Sequence, residues 1–558
     1  MFNSKKDKLF SVDEKQIKTS VNPFILAAKV QSNVVSSGNG ATKFNSTQNI
    51  FVDQFSNASA YKKPRTYDEV AKDMAVCWAT SERDTIRLVL YFRIITRDVV
   101  LNGEKIGVHR GAGLKNESIM RMLWLAIERP SAFYNNISLF IAAGSWCDII
   151  KMLQLDLVYN GWDGKLLDWD AIVNVILAGL ENPSTSELVK KYLPQIKAKS
   201  KCTTVESQAD TLVAKYICSR LFGGKGANNT YKSYRKLKSN GTAHQWQQLI
   251  SKGKHNLIDF STIHGRALSL LVSSDYIKNQ GLTQVYQKWI AAQPVAKYTG
   301  YVHELAANIK KTNQKYQNDT INAQFNQLLE VAGKTNCEFI VVKDTSTSMD
   351  SPAFGCNMSS YNVAKAMSIF LGKLLKGGFH NHYIDFSSKA ILRQINGSNF
   401  VEHWNTEHRV ASANTNFISV AELFTSINIS QRNIKEEDFP KGIICISDGE
   451  FDRVNMANKV NVEAFKETLL KGGFSKRFVN DFKIVFWDIR NSFYGSKYAN
   501  AKFESTSVAP NVFYFGGYDP SVITFLTGVE GESKSTPKNA EELFYAAMNQ
   551  PLLQMIKY

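Results

Sequence analysis

Along the first 330 residues, apolar side chains recur three and four positions apart. Ile86, Leu90 and Ile94 share one face of the segment 82–99, and Ile119, Met122, Leu123 and Ile127 share one face of 117–128. Segments 68–78, 137–153, 169–180, 186–197 and 205–221 follow the same rule, each ending at a polar or Gly/Pro/Asn break. This spacing predicts serial amphipathic helices with almost no strand, arranged as an α-helical, HEAT-like repeat. A last helical stretch, 301–331, closes that region. Ahead of it, residues 1–50 are polar, with a single apolar run at 24–28, and read as an extended arm.

At Phe339 the period changes. Short β-branched runs at 339–343, 382–386, 442–447, 482–488 and 512–515 alternate with helical patterns at 361–375, 420–426, 462–470 and 520–528. Continuous apolar runs between helices predict a parallel sheet covered on both faces, an α/β doubly wound, Rossmann-like domain. A final helix is expected over 541–548, with the tail folding back on the helical part. The resulting division is 1–50 arm, 51–332 helical repeat, 333–535 α/β domain and 536–558 tail.

Charge then changes the picture. The net charge is +17 over 558 residues. Residues 1–330 carry 43 Lys and Arg against 27 Asp and Glu, whereas 331–558 carry 24 against 23. An excess confined to the helical part points to a polyanionic partner. It is densest around 225–254, where Lys225, Lys232, Arg235, Lys236, Lys238, Lys252 and Lys254 interleave with Tyr231 and Tyr234. Cations that neutralise phosphates, with rings that stack on unpaired bases, suit single-stranded RNA. The competing reading is a solvated basic helix with its tyrosines in the core. Seven scattered cysteines, no apolar run near 18 residues and a polar first segment predict free thiols, no membrane span, no secretory signal and a cytoplasmic setting.

Candidate chemistry lies where the first strand ends, in Asp344-Thr345-Ser346-Thr347-Ser348. Ligands bind at the carboxyl ends of strands in such sheets. A carboxylate and two hydroxyls there are hard donors for Mg²⁺ or Mn²⁺, with Ca²⁺ as a further occupant. Thr415, 71 residues on, and Asp448, 104 residues on and ending another strand, complete the set. In order and spacing, Asp344, Ser346, Ser348, Thr415 and Asp448 resemble the metal-ion-dependent adhesion site of von Willebrand factor A domains. Glu450, Asp452 and Asp488 are further acidic groups near that edge. No phosphate-binding glycine loop and no Ser/His/Asp or Cys/His set is present, so no catalytic residue is assigned.

A helical repeat followed by an A domain resembles the Ro ribonucleoprotein (TROVE) architecture, and more closely a related family of plants, bacteria and large phages. The segments that carry this are 51–55, 143–148, 231–237, 258–261, 344–348, 414–417, 447–452 and 486–490. The resemblance implies a ring of helical repeats that binds small structured RNA outside and single-stranded RNA ends in its hole, beside a metal-bearing A domain. The chain departs from the A-domain pattern in Ser447-Asp448-Gly449-Glu450 and in Cys356 and Gly355 of the loop 351–360. An RNA-binding, non-enzymatic ribonucleoprotein component is therefore expected. The alternative is a metal-dependent protein-interaction or assembly module, such as a phage scaffold or virion protein, that takes an acidic protein ligand. A metal-dependent nuclease is the weakest of the three.

Overall fold

The computed structural model describes residues 33–557, except 37, 38, 40, 160–165, 224–226, 241–244, 264, 336, 431–432, 454–459, 491–502 and 530–535. The apolar run at 24–28 lies outside the described residues.

The arm is not simply extended. β1 (Val34–Ser36) and β2 (Thr42–Phe44) form an antiparallel hairpin. Phe44 then bridges Phe503 of the α/β domain through two main-chain bonds of 2.7 and 3.0 Å. Helix Ile50–Ser56 follows, capped by Asn49, with Phe51, Val52 and Phe55 buried. Its Gln54 accepts from Arg121, which is fully buried and paired with Glu117 at 2.8 Å.

Helices Tyr67–Thr80, Lys115–Glu128, Trp169–Glu181 and Val205–Phe222 match the periodicity closely. Two differences have local causes. The segment 82–99 stops at Arg93, and β3 (Arg97–Leu101) pairs with β4 (Glu104–His109) around Asn102 and Gly103. Both turn residues take positive φ, +52° and +93°. That is the Asn-Gly signal of a two-residue hairpin. The segment 137–153 is two helices, Ile137–Ala143 and Trp146–Tyr159, bent by 116° at Gly144-Ser145. Asp148 accepts there from the Ser145 amide at 2.9 Å and from Arg93 at 2.7 Å. A Cβ on Gly144 would sit 2.1 Å from that carboxylate.

The C-terminal part holds a six-stranded sheet: β5 (Phe339–Asp344), β6 (His382–Phe386), β7 (Ala390–Gln394), β8 (Gly442–Ser447), β9 (Lys483–Asp488) and β10 (Val512–Gly516), in spatial order β10-β9-β8-β5-β6-β7. All pairs are parallel except β6 with the edge strand β7, which the sequence pattern did not reveal. The order reverses between β5 and β8, the switch point where a crevice opens at the strand ends. Helix Ser360–Leu374 lies against β5 and is buried almost all round, because the helices Val302–Ala306 and Lys315–Ala332 cover its other side. Phe325 stacks on Phe400 at 4.2 Å there. One apolar cluster runs from Phe51 to Ile556, so the two parts share a core. Helix Ala540–Met548 returns to the helical part, with Phe544 stacked on Phe51 at 5.6 Å.

Candidate metal centre and basic face

β5 and β8 end side by side, and their last carboxylates are out of water. Asp344 is fully buried and Asp448 is 6% exposed. One Asp344 oxygen accepts from the Ser346 amide at 2.9 Å; the other accepts from the Ser447 hydroxyl at 2.6 Å. The Ser346 and Ser348 hydroxyls lie 3.0 Å apart. Ser348 also hydrogen-bonds the Asp448 carboxylate, which in addition accepts from the Glu450 amide at 3.3 Å. Four of the five expected donors thus form one contiguous group.

Thr415 is fixed by a reciprocal pair with Asp452: its amide donates to that carboxylate at 2.8 Å, and its carbonyl accepts the Asp452 amide at 3.0 Å. The next residue, Asn416, donates to Ser387 at the end of β6. The Thr415 segment is therefore tied to the loops after β6 and after β8, which flank β5. Asp452 acts by positioning Thr415. Asp488 is turned to Arg490 at 2.6 Å.

The electrostatics fit a cation. Burial raises the Asp344 carboxyl above its ordinary range, against hydrogen bonds from Ser447 and Ser346 that favour its charge. Burial and the neighbouring Asp344 push Asp448 up to about 7. Two carboxylates that repel each other in a dry site, bordered by hydroxyls, make a donor set that a divalent ion relieves. Arg409 is the fixed positive charge nearby. It donates to the carbonyls of Thr345 (3.1 Å) and Ser346 and to Asp350, and its guanidinium lies 4.3 Å from the Tyr361 ring centroid. It holds the Asp-x-Ser-x-Ser turn from outside. No group of three or more His, Cys, Asp or Glu side chains is poised to hold a metal among the described residues. The candidate centre is accordingly rich in hydroxyls.

The basic stretch resolves into two populations. Lys232, Arg235 and Lys236 stand exposed on helix Ala227–Ser239, and Lys252 and Lys254 are exposed after helix Gln245–Ser251. Tyr231 is half-buried. Tyr234 is a correction: its ring is fully buried and its hydroxyl donates to the Pro194 carbonyl at 2.9 Å, so it cannot stack on a base. Lys238 is corrected too, since its ammonium turns inward to the Leu193 carbonyl and burial lowers its pKa. Lys225 lies outside the described residues. The segment 143–148 also proves structural, forming the helix break at Gly144.

Residues 336–551 match a family model described as a domain of unknown function, DUF7788. No curated protein matches the chain. Among solved structures, the Ro (RSR) protein of Deinococcus radiodurans is similar at 11% identity, over 78% of this chain and 87% of that chain, with a TM-score of 0.30. A superposition so loose carries no argument about function. Among the described residues, no single helix is long and apolar enough to cross a membrane. All seven cysteines are free.

The sequence alone assigned no role to Ser447 or Arg409. Ser447 precedes Asp448 and was within reach of a motif reading. Arg409 reaches the turn after β5 from 63 and 64 positions away, and no local pattern marks it.

Proposed function

We propose that this chain is an RNA-binding protein whose helical part grips the phosphate backbone while the α/β domain holds a divalent cation at the sheet edge. The observation that carries the first half is the exposure of Lys232, Arg235, Lys236, Lys252 and Lys254 on a part of the chain that bears nearly all the excess positive charge. None of the five has a carboxylate partner among the described residues. Binding of this kind follows counterion release, so affinity falls steeply with salt. The test is fluorescence-anisotropy titration of a single-stranded RNA across salt concentrations. The triple variant Lys232→Gln/Arg235→Gln/Lys236→Gln should weaken binding across sequences and lower the salt slope by roughly 1 for each phosphate that is no longer neutralised. A slope near zero in the unaltered protein would end the RNA reading.

For the second half, Asp344, Ser346, Ser348, Thr415 and Asp448 would hold Mg²⁺, Mn²⁺ or Ca²⁺. When bound, the ion supplies positive charge to the buried acidic pair and presents an open coordination position. The half-buried Ser348 at the rim favours a second reading, in which an acidic group of a protein partner completes the coordination. Retention of such a partner should be lost with chelator and with Ser348→Ala. Turnover of RNA is not part of either reading.

A further inference from the structure

The loop that carries Asp448 is held from the far end of the chain. Lys43, on β2, is charged yet only 1% exposed. Its ammonium donates to the carbonyl of Gly449, 406 positions away, lies 3.5 Å from the buried Glu504 carboxylate and sits 4.8 Å from the Phe451 ring centroid. Asn39 donates its side-chain amide to the Glu450 carbonyl at 2.7 Å, 411 positions away. Two consecutive carbonyls just after Asp448 are thus bound by one hairpin. Gly449 itself takes φ +81°, a backbone state that an L side chain resists, so the turn has little freedom once both carbonyls are tied. A buried ammonium is costly to desolvate, and packing alone would be served by an apolar side chain.

We propose that Lys43 is a positioning residue for the candidate metal centre. From the N-terminal hairpin it fixes the turn that aims the Asp448 carboxylate. The inference rests on the metal reading and extends it: cation binding and hairpin docking become coupled, and the coupling is reciprocal. Outer partners that orient metal ligands typically change affinity about 10–100-fold when removed.

The test uses the full-length protein and Mg²⁺ alone. Calorimetric titration compares the unaltered chain with Lys43→Met, Asn39→Ala and the double variant Lys43→Met/Glu504→Gln, which leaves no unpaired buried charge if the single change folds poorly. The Mg²⁺ dissociation constant should rise about tenfold or more in the Lys43 variants. Hydrogen exchange supplies a second readout: Mg²⁺ should slow exchange at amides 42–47 in the unaltered protein and leave them unmoved in Lys43→Met. Equal Mg²⁺ affinity in the unaltered protein and the double variant overturns the positioning role, as does indifference of amides 42–47 to Mg²⁺ in a protein that binds it. An unaltered chain that takes up no Mg²⁺ at all overturns the metal reading itself, and the inference with it.

Discussion

At the scale of single residues, the candidate centre is a balance between buried carboxylates and what offsets them. Asp344 and Asp448 sit out of water beside each other, and hydrogen bonds from Ser447, Ser346 and Ser348 only partly compensate. Removing one charge should therefore leave the metal-free protein no less stable. Asp448→Asn should melt at or above the unaltered protein in EDTA. In Mg²⁺ the unaltered protein should gain stability, about 2.7 kcal/mol at a hundredfold excess over the dissociation constant, and the variant should gain almost none. Differential scanning fluorimetry with and without chelator separates the two. A variant that keeps the full Mg²⁺ response would remove Asp448 from the centre. Asp344, Ser346, Ser348, Thr415 and Asp448 could be put forward from the sequence because each follows a strand or fills a loop at a fixed offset. Lys43 and Arg409 could not, since they reach the centre by folding back across hundreds or tens of residues. Tyr234 misled because exposed and buried tyrosines look alike inside a basic run.

At the scale of elements, periodicity marked helices with one buried face and also Lys115–Glu128 and Ser360–Leu374, which are enclosed on nearly every side. It failed at breaks made by side-chain chemistry. The 137–153 segment keeps its apolar period straight through Gly144, so it reads as one helix, while Asp148 and Arg93 stop it there. The hairpin at Asn102-Gly103 was in plain sight as a turn dipeptide but was masked by the helical run before it. β7 was missed because this short edge strand has no apolar/polar alternation: Ile391 and Leu392, which point to opposite faces, are both exposed. The break at Gly144 makes a sharp prediction. In Gly144→Ala the new methyl would meet Asp148 at 2.1 Å and Arg93 at 2.8 Å, and neither can retreat without losing their ion pair. Overpacking of this kind costs about 1–3 kcal/mol. Urea denaturation should show a lower midpoint with unchanged slope; a neutral result would mean the helix pair can open at no cost.

At the scale of the whole molecule, the helical part and the sheet domain meet through a joint that contains titratable groups. His303, fully enclosed in its environment, is stacked on Tyr301 at 5.3 Å and set edge-on to Tyr518 at 5.2 Å, with its Nε2 3.4 Å from the Cys356 sulfur. Gly355 beside it has φ +63°, and a Cβ there would meet the Lys62 carbonyl at 2.4 Å, so helical part and loop touch backbone to backbone. Burial, with Lys62 and Arg266 nearby, lowers His303 to about 4, although Glu304 opposes the shift. In the unfolded chain the same imidazole titrates near 6.5. Between those values the unfolded state binds the extra proton, so stability rises with pH there. The contribution is fully present above about 6.5 and is lost as pH falls through about 4, a swing of roughly 3 kcal/mol at most. The raised carboxyls Asp344, Asp385 and Glu504 act in the opposite sense, because acid neutralises them. The effect of His303 must therefore be read as a difference. His303→Phe keeps a ring between Tyr301 and Tyr518 but cannot take up a proton. The stability gap between the unaltered protein and this variant, measured by urea unfolding, should shift toward the variant by up to ~3 kcal/mol from pH 7 to pH 4. A gap constant across that range would mean that the joint opens enough in the native state for water to reach the imidazole.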